Sequence, residues 1–210
     1  MHYVFDDFMS REYPYIPWVR YADDGALNCV SVKQAKYIIK VLDKRFKTFG
    51  LELNLAKTKI VYCKDDNRKG EYKNTKFDFL GYTFRRRIAK KKNGEIFTSF
   101  QPAISDKAQK AINKTVRDWR LQDKTNKTLA EIGRIVNPKI QGWINYYAKY
   151  YKTEMYKVLR YINYCLLKWV RRKFKNIHSR KQATKWLDKI AKTNKDIFSH
   201  WKFGATPTAR

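Results

Sequence analysis

The hydrophobic period of this chain changes once, near residue 104, and that change restricts the fold to strands and helices kept in separate regions. Before it, the apolar runs 16–21, 26–30, 51–53, 60–63 and 77–84 are short, and many alternate, as strands do. One long helix interrupts them. Ser31 supplies a capping hydroxyl and Gly50 a stop, and between them Val32, Ala35, Ile38, Ile39, Leu42, Phe46 and Phe49 recur at the helical spacing. Residues 1–9 read as the end of a helix, broken by Pro14 and Pro17. After residue 104 the pattern is helical throughout. Ser105 opens a helix to about residue 121, Thr128 caps one that should yield near Asn137-Pro138, and further helices are expected over 139–151 and 154–175. The expectation is an α+β protein with residues 1–104 as a hairpin-based domain and residues 105–210 as an all-helical one.

Charge narrows the partners. The chain carries 47 Lys+Arg against 19 Asp+Glu, a formal net charge of +28, while 43% hydrophobic residues keep it globular in composition. Self-repulsion of that size opposes a compact state unless a polyanion neutralises it, which points to nucleic acid. An anionic membrane surface is the weaker alternative, because no apolar run reaches the ~20 residues of a membrane span. The charge is uneven: residues 1–110 hold 23 basic and 13 acidic residues, residues 111–210 hold 24 and 6. The acids that could hold a metal lie early, and the surface most in need of a polyanion lies late.

The three cysteines, Cys29, Cys63 and Cys165, are isolated within apolar runs, and His2, His178 and His200 are scattered. That spacing offers neither a zinc site nor a disulfide framework, so the thiols are expected as small core residues in a reducing compartment. The first ten residues include Asp6 and Asp7 and lack a basic start, so no secretory leader is expected.

The chemistry concentrates at Tyr21-Ala22-Asp23-Asp24. Apolar strands flank the turn Ala22-Asp23-Asp24-Gly25, where Asp and Gly tolerate the backbone that a hairpin needs. Adjacent carboxylates at a tight turn repel each other, and a hard divalent cation such as Mg²⁺ removes the repulsion. Metal held by acids within a basic protein suggests phosphoryl transfer on nucleic acid.

Four motifs then occur in order: Arg20-Tyr21-Ala22-Asp23-Asp24; Gly50-Leu51-Glu52-Leu53-Asn54-Leu55-Ala56-Lys57; Phe79-Leu80-Gly81-Tyr82; and Asn137-Pro138-Lys139-Ile140-Gln141-Gly142-Trp143 continuing to Tyr147. With the terminal Phe198-Ser199-His200-Trp201, they resemble the group II intron reverse transcriptases over about residues 1–203. The resemblance implies part of a reverse-transcriptase palm, an antiparallel hairpin sheet with a helix, followed by an all-α thumb and maturase domain. It implies Asp23 as a ligand of a two-metal Mg²⁺ site with Asp24 assisting, and Tyr21 and Ala22 beside the primer end and incoming dNTP. Lys57 corresponds to the lysine proposed to protonate pyrophosphate, the alternative being a solvated strand-edge lysine. Phe79, Leu80 and Gly81 correspond to the primer grip, and Gly81 is equally well read as a strand kink. Lys139, Trp143, Tyr146 and Tyr147 fall where intron RNA is contacted or its contacts are supported, with Trp143 expected to be buried. Arg171, Arg172 and Lys173 are the better candidates for phosphate contact.

Two departures from the family pattern shape the functional expectation. The first palm aspartate, one bridging ligand of the two-metal site, and the fingers have no counterpart in residues 1–20. Gly25-Ala26 replaces a bulkier apolar pair. The chain is therefore expected to be inactive in polymerisation by itself, either a C-terminal portion with the rest on an upstream polypeptide or the remnant of a disrupted gene. Partners expected are group II intron RNA, an RNA template, a DNA primer and dNTP, with no membrane, in the bacterial cytoplasm or an organelle. The alternative is a non-catalytic RNA-binding splicing cofactor.

Overall fold

A computed structural model describes residues 1–68 and 70–208. The chain forms two compact units, residues 1–79 and residues 80–210, and the switch from strands to helices lies inside the second.

The first unit opens with a π-helical turn, His2–Asp6, that runs into helix α1 (Asp7–Glu12). Strands β1 (Trp18–Tyr21) and β2 (Asp24–Leu27) pair antiparallel, Trp18 opposite Leu27 and Tyr21 opposite Asp24. Helix α2 (Val32–Thr48) follows, capped where expected: the Ser31 hydroxyl accepts from the Gln34 amide. Its apolar stripe buries Ile38, Leu42 and Phe46 against Phe5, Met9 and Ile16, with Trp18, Leu27, Leu51 and Leu53 packed at the margin. A two-stranded hairpin is marginal alone, and here the Trp18 and Leu27 side chains attach it to that core. Strand β3 (Lys76–Phe79) ends the unit.

Residues 51–53 and 60–63 are not strands. Leu51 and Leu53 still turn their side chains to the core, but the Leu51 amide closes the end of α2 on the Phe46 carbonyl, and Tyr62 donates to the Asn74 carbonyl in a loop. Alternation reported which side chains are covered. A ladder also requires a partner strand.

In the second unit β4 (Tyr82–Lys90) and β5 (Ile96–Ile104) form a nine-pair antiparallel ribbon, Tyr82 opposite Ile104 and Lys90 opposite Ile96. Helices α3 (Asp106–Asp118), α4 (Leu129–Tyr147), α5 (Lys152–Lys173), α6 (Arg180–Thr193) and the short α7 (Ser199–Lys202) follow. Helix α5 is the axis of the core: Met155, Leu159, Ile162, Leu166, Trp169 and Val170 are almost fully buried.

Helix α4 runs through Pro138, where the sequence predicts a break. Val136, Ile140 and Ile144 keep one buried stripe across the proline, and that burial outweighs the roughly 3 kcal/mol of an interior proline. The Asn137 side chain adds two bonds to the chain end, donating to the Ile197 carbonyl and accepting from the Ser199 amide. Gly133 is required at the same contact, since a Cβ there would lie 2.3 Å from the Ile197 oxygen.

The Phe198-Ser199-His200-Trp201 end is a buried anchor. Asn163 on α5 accepts at one oxygen from the Trp201 indole at 2.9 Å, meets His200 Nε2 at 2.8 Å, and donates to the Ala205 carbonyl. Burial holds the His200 imidazole neutral, its pKa pushed down to about 3.

Candidate functional site

The acidic turn is built by its strands. Tyr21 and Asp24 are the last paired residues, and Ala22 and Asp23 bridge them, with both carboxylates exposed. Ala22 has a left-handed backbone, φ 51°, a conformation that costs a residue with a Cβ about 1–2 kcal/mol. Arg20 holds the turn in that shape. Its guanidinium donates through Nε and Nη2 to the two Asp6 oxygens, at 2.7 and 2.5 Å, and through Nη1 to the Ala22 carbonyl at 2.8 Å. The Arg20 hydrogen bond and charge hold the Asp6 carboxyl below its usual range, and Asp6 in turn raises the guanidinium. Arg20 stands directly before the motif, but nothing in the sequence connects it to Asp6, fourteen residues away.

Two hard carboxylates on a fixed, solvent-facing turn fit Mg²⁺, which usually takes one or two carboxylates with substrate phosphates and waters. Among the described residues no group of three or more His, Cys, Asp or Glu could hold a metal.

Lys57 lies on an exposed turn organised by Asn54, whose carbonyl and side-chain oxygen both accept from the Lys57 amide. Leu80 and Gly81 are both left-handed, φ 50° and 77°, forming the tight two-residue turn from Phe79 into Tyr82. The second unit supports Leu80 and Gly81 closely. The Tyr146 hydroxyl donates to the Leu80 carbonyl at 2.9 Å, the Tyr82 hydroxyl donates to the Tyr146 carbonyl, and a Cβ on Gly81 would sit 2.8 Å from the Tyr147 hydroxyl. Tyr146 thus has its hydroxyl on the turn and 46% of its surface in solvent. Trp143 is half-buried and stacks on Trp119 with ring centres 5.6 Å apart. Lys139 is exposed on α4.

The end of α5 and the segment that follows it form a basic cleft of about 370 Å³, lined by Lys168, Arg171, Arg172, Lys175, Ile177 and His178. Arg172 is tethered to Asp123 at 2.6 Å, and Lys173, beside the cleft, donates to the Thr125 and Lys127 carbonyls. Lys173 therefore braces the loop before α4, while Arg171 faces solvent. Lys168 and Arg180 both approach the Tyr164 ring, at 4.5 and 5.5 Å from its centre. Among the described residues no carboxylate lines this cleft. Lys168 and Lys175 belong to the basic face that the sequence gives the 154–175 helix, either solvated or on RNA, whereas His178 was missed because only the turn between helices brings it to them. The thiols behave as packing groups: burial pushes Cys29, Cys63 and Cys165 up in pKa. No helix among the described residues is long and apolar enough to cross a membrane.

A strand-mounted acidic turn in one unit and a cation-lined helical surface in the other define a protein of the nucleic-acid-binding class. The comparisons agree in order. Residues 1–84 match the family model for reverse transcriptase (RNA-dependent DNA polymerase), and residues 109–187 match that for the group II intron maturase-specific domain. The chain belongs to the group II intron reverse transcriptase/maturase family. A search of curated proteins finds no match.

Proposed function

We propose that this chain supplies the acidic turn of an RNA-directed DNA polymerase and the intron-RNA-binding surface of a maturase, dividing near residue 104, and that it acts in the cytoplasm of a bacterial host. The observation that carries the polymerase half is the Asp23–Asp24 turn, strained at Ala22 and fastened by Arg20 to Asp6. A turn held this way presents its carboxylates without reorganisation, which metal-assisted chemistry rewards. Asp23 and Asp24 would hold Mg²⁺, which supplies charge stabilisation to the attacking and leaving oxygens. Tyr21 and Ala22 flank the primer end and the dNTP, Lys57 provides a proton for the leaving pyrophosphate, and the Leu80–Gly81 turn guides the primer strand. Intron RNA is held at the α5–α6 cleft and by Lys139.

With two adjacent carboxylates and no group of three or more metal-ligating side chains among the described residues, polymerisation needs a further carboxylate beside the turn. Primer extension on a homopolymer RNA template tests this directly. The chain is expected to be inactive until an upstream reverse-transcriptase segment is added, and Asp23→Ala should abolish the restored synthesis. Extension by the chain alone would overturn the division of labour, and synthesis by the Asp23→Ala variant would overturn the site.

The basic cleft favours a second reading, a splicing cofactor that binds RNA without polymerising. It separates by the same variant: Asp23→Ala should leave RNA binding and splicing support unchanged. If splicing fails with the turn variant, the two activities are not separable and the second reading falls.

A further inference from the structure

Helix α4 lies in the maturase-specific part of the chain, yet its last turn grips the Leu80–Gly81 turn. Two hydroxyl–carbonyl bonds make the grip reciprocal. The Tyr146 hydroxyl donates to the Leu80 carbonyl at 2.9 Å, and the Tyr82 hydroxyl donates to the Tyr146 carbonyl. That second acceptor is among the last four carbonyls of α4, which the helix itself leaves without an amide. Burial pushes the pKa of the Tyr82 hydroxyl up to about 12, so it stays protonated and keeps donating. The Tyr146 and Tyr82 ring centres are 5.3 Å apart, so packing places the Tyr146 hydroxyl as well.

These contacts fix one peptide plane. Leu80 and Gly81 both have left-handed backbones, φ 50° and 77°, and its Cβ strains Leu80 in that conformation. The Gly81 carbonyl accepts from the Ser105 amide at 2.9 Å, so both carbonyls of the turn are held within the second unit. The peptide joining Leu80 to Gly81 is trans and planar, which sets its N–H opposite its C=O. With the Leu80 carbonyl drawn to Tyr146, the Gly81 N–H faces away from α4. Gly81 has no side chain to shield that N–H from a strand laid along the turn.

The geometry points to Tyr146 as a positioning residue for polymerisation: through the Leu80 carbonyl it aims the Gly81 amide at a phosphate near the end of the primer strand. The inference rests on the reading of Leu80–Gly81 as the turn that guides the primer, and it adds a residue of the maturase part to that task. Tyr146 acts through the turn and not on the reacting atoms. Tyr147 serves the same turn differently, its hydroxyl filling the space 2.8 Å from where a Gly81 Cβ would stand.

The test is a double cycle between Tyr146→Phe and the primer, read by extension with the full chain and the upstream reverse-transcriptase segment. Methylphosphonate removes the charge of a phosphate, and it is placed at one linkage at a time near the primer end. The parent should be slowed about 10-fold at one linkage, the loss expected for a hydrogen bond to a charged group. Tyr146→Phe should be slowed about 10-fold on the unmodified primer, in kcat and not in the KM for dNTP, and methylphosphonate at that linkage should slow it no further. At the other linkages the two changes should add. Additive losses at every linkage would overturn the inference and leave Tyr146 as packing, and so would Tyr146→Phe extending like the parent. A parent indifferent to methylphosphonate at every linkage would overturn the reading of the turn itself. No synthesis by the restored parent would overturn the polymerase reading and this inference with it. A second readout needs no activity. Backbone chemical shifts of the chain alone should move at Leu80 and Gly81 in Tyr146→Phe and stay in place at Asp23 and Asp24, and unmoved shifts at the turn would also overturn the inference. Should Tyr146→Phe fail to fold, Tyr82→Phe keeps the Tyr146 hydroxyl and removes only its anchor, and it runs the same cycle with an expected loss of about threefold.

Discussion

Arg20 does what a lysine could not, because it spreads three donors over one carboxylate and one carbonyl. Arg20→Lys and Asp6→Asn should each free the Ala22 carbonyl and speed amide exchange at Asp23 and Asp24, while the Trp18–Leu27 end of the ladder stays protected. Unaltered exchange at the two aspartates would mean that the strands alone fix the turn. The pH dependence follows from the direction of the Asp6 shift. A carboxyl depressed in the folded state contributes above its ordinary range and loses that contribution only as pH falls through the lowered value. The clamp should therefore persist from neutral pH down to about pH 4, and open only below it. Gly81 offers a separate check. At φ 77°, with the Tyr147 hydroxyl 2.8 Å from the position of a Cβ, Gly81→Ala should destabilise the second unit by about 1–3 kcal/mol in urea unfolding.

Elements were legible wherever a local device set them. Ser31, Ser105 and Thr128 cap the helices that the sequence gives them, because a side-chain oxygen three residues before an amide needs no tertiary help. The acidic hairpin and the Leu80–Gly81 turn were legible for the same reason. Helix α4 was misread at Pro138, since the local rule is outweighed by a buried stripe that only the folded core rewards. Pro138→Ala should accordingly stabilise the second unit, by about 1–2 kcal/mol, by restoring an amide donor inside a helix that already forms. No gain in melting temperature would show that the carbonyl one turn earlier is already satisfied. The missing strands at 51–53 and 60–63 are the converse case, apolar alternation without a partner. At the candidate site, Asp23 and Asp24 were visible as a motif, whereas the Asp6–Arg20 tie and the Lys168–His178 cleft are products of packing across sequence distance.

At the scale of the whole molecule, two ionisation effects oppose each other. The formal charge of +28 strains the compact state, and RNA should relieve it, so the melting temperature should rise with saturating RNA and the rise should fade with added salt. His200 acts at the other end of the pH scale. Its folded pKa, about 3, lies below the ordinary histidine value of 6.5, so the unfolded chain binds the extra proton between those limits. Stability is intact above pH 6.5 and declines as pH falls toward 3, by roughly 4 kcal/mol in all. Urea unfolding of the second unit across that range should show the decline, and His200→Gln should flatten it. A parent profile as flat as the variant's would remove His200 as the cause.

The most direct test of the acidic turn is paramagnetic. Mn²⁺ added with dNTP to the isotopically labelled chain should broaden the amide signals of Asp23, Asp24 and Gly25 first, and Asp23→Ala should abolish that selectivity. Broadening centred elsewhere, or broadening at the turn that survives Asp23→Ala, would contradict the assignment of these carboxylates to the metal.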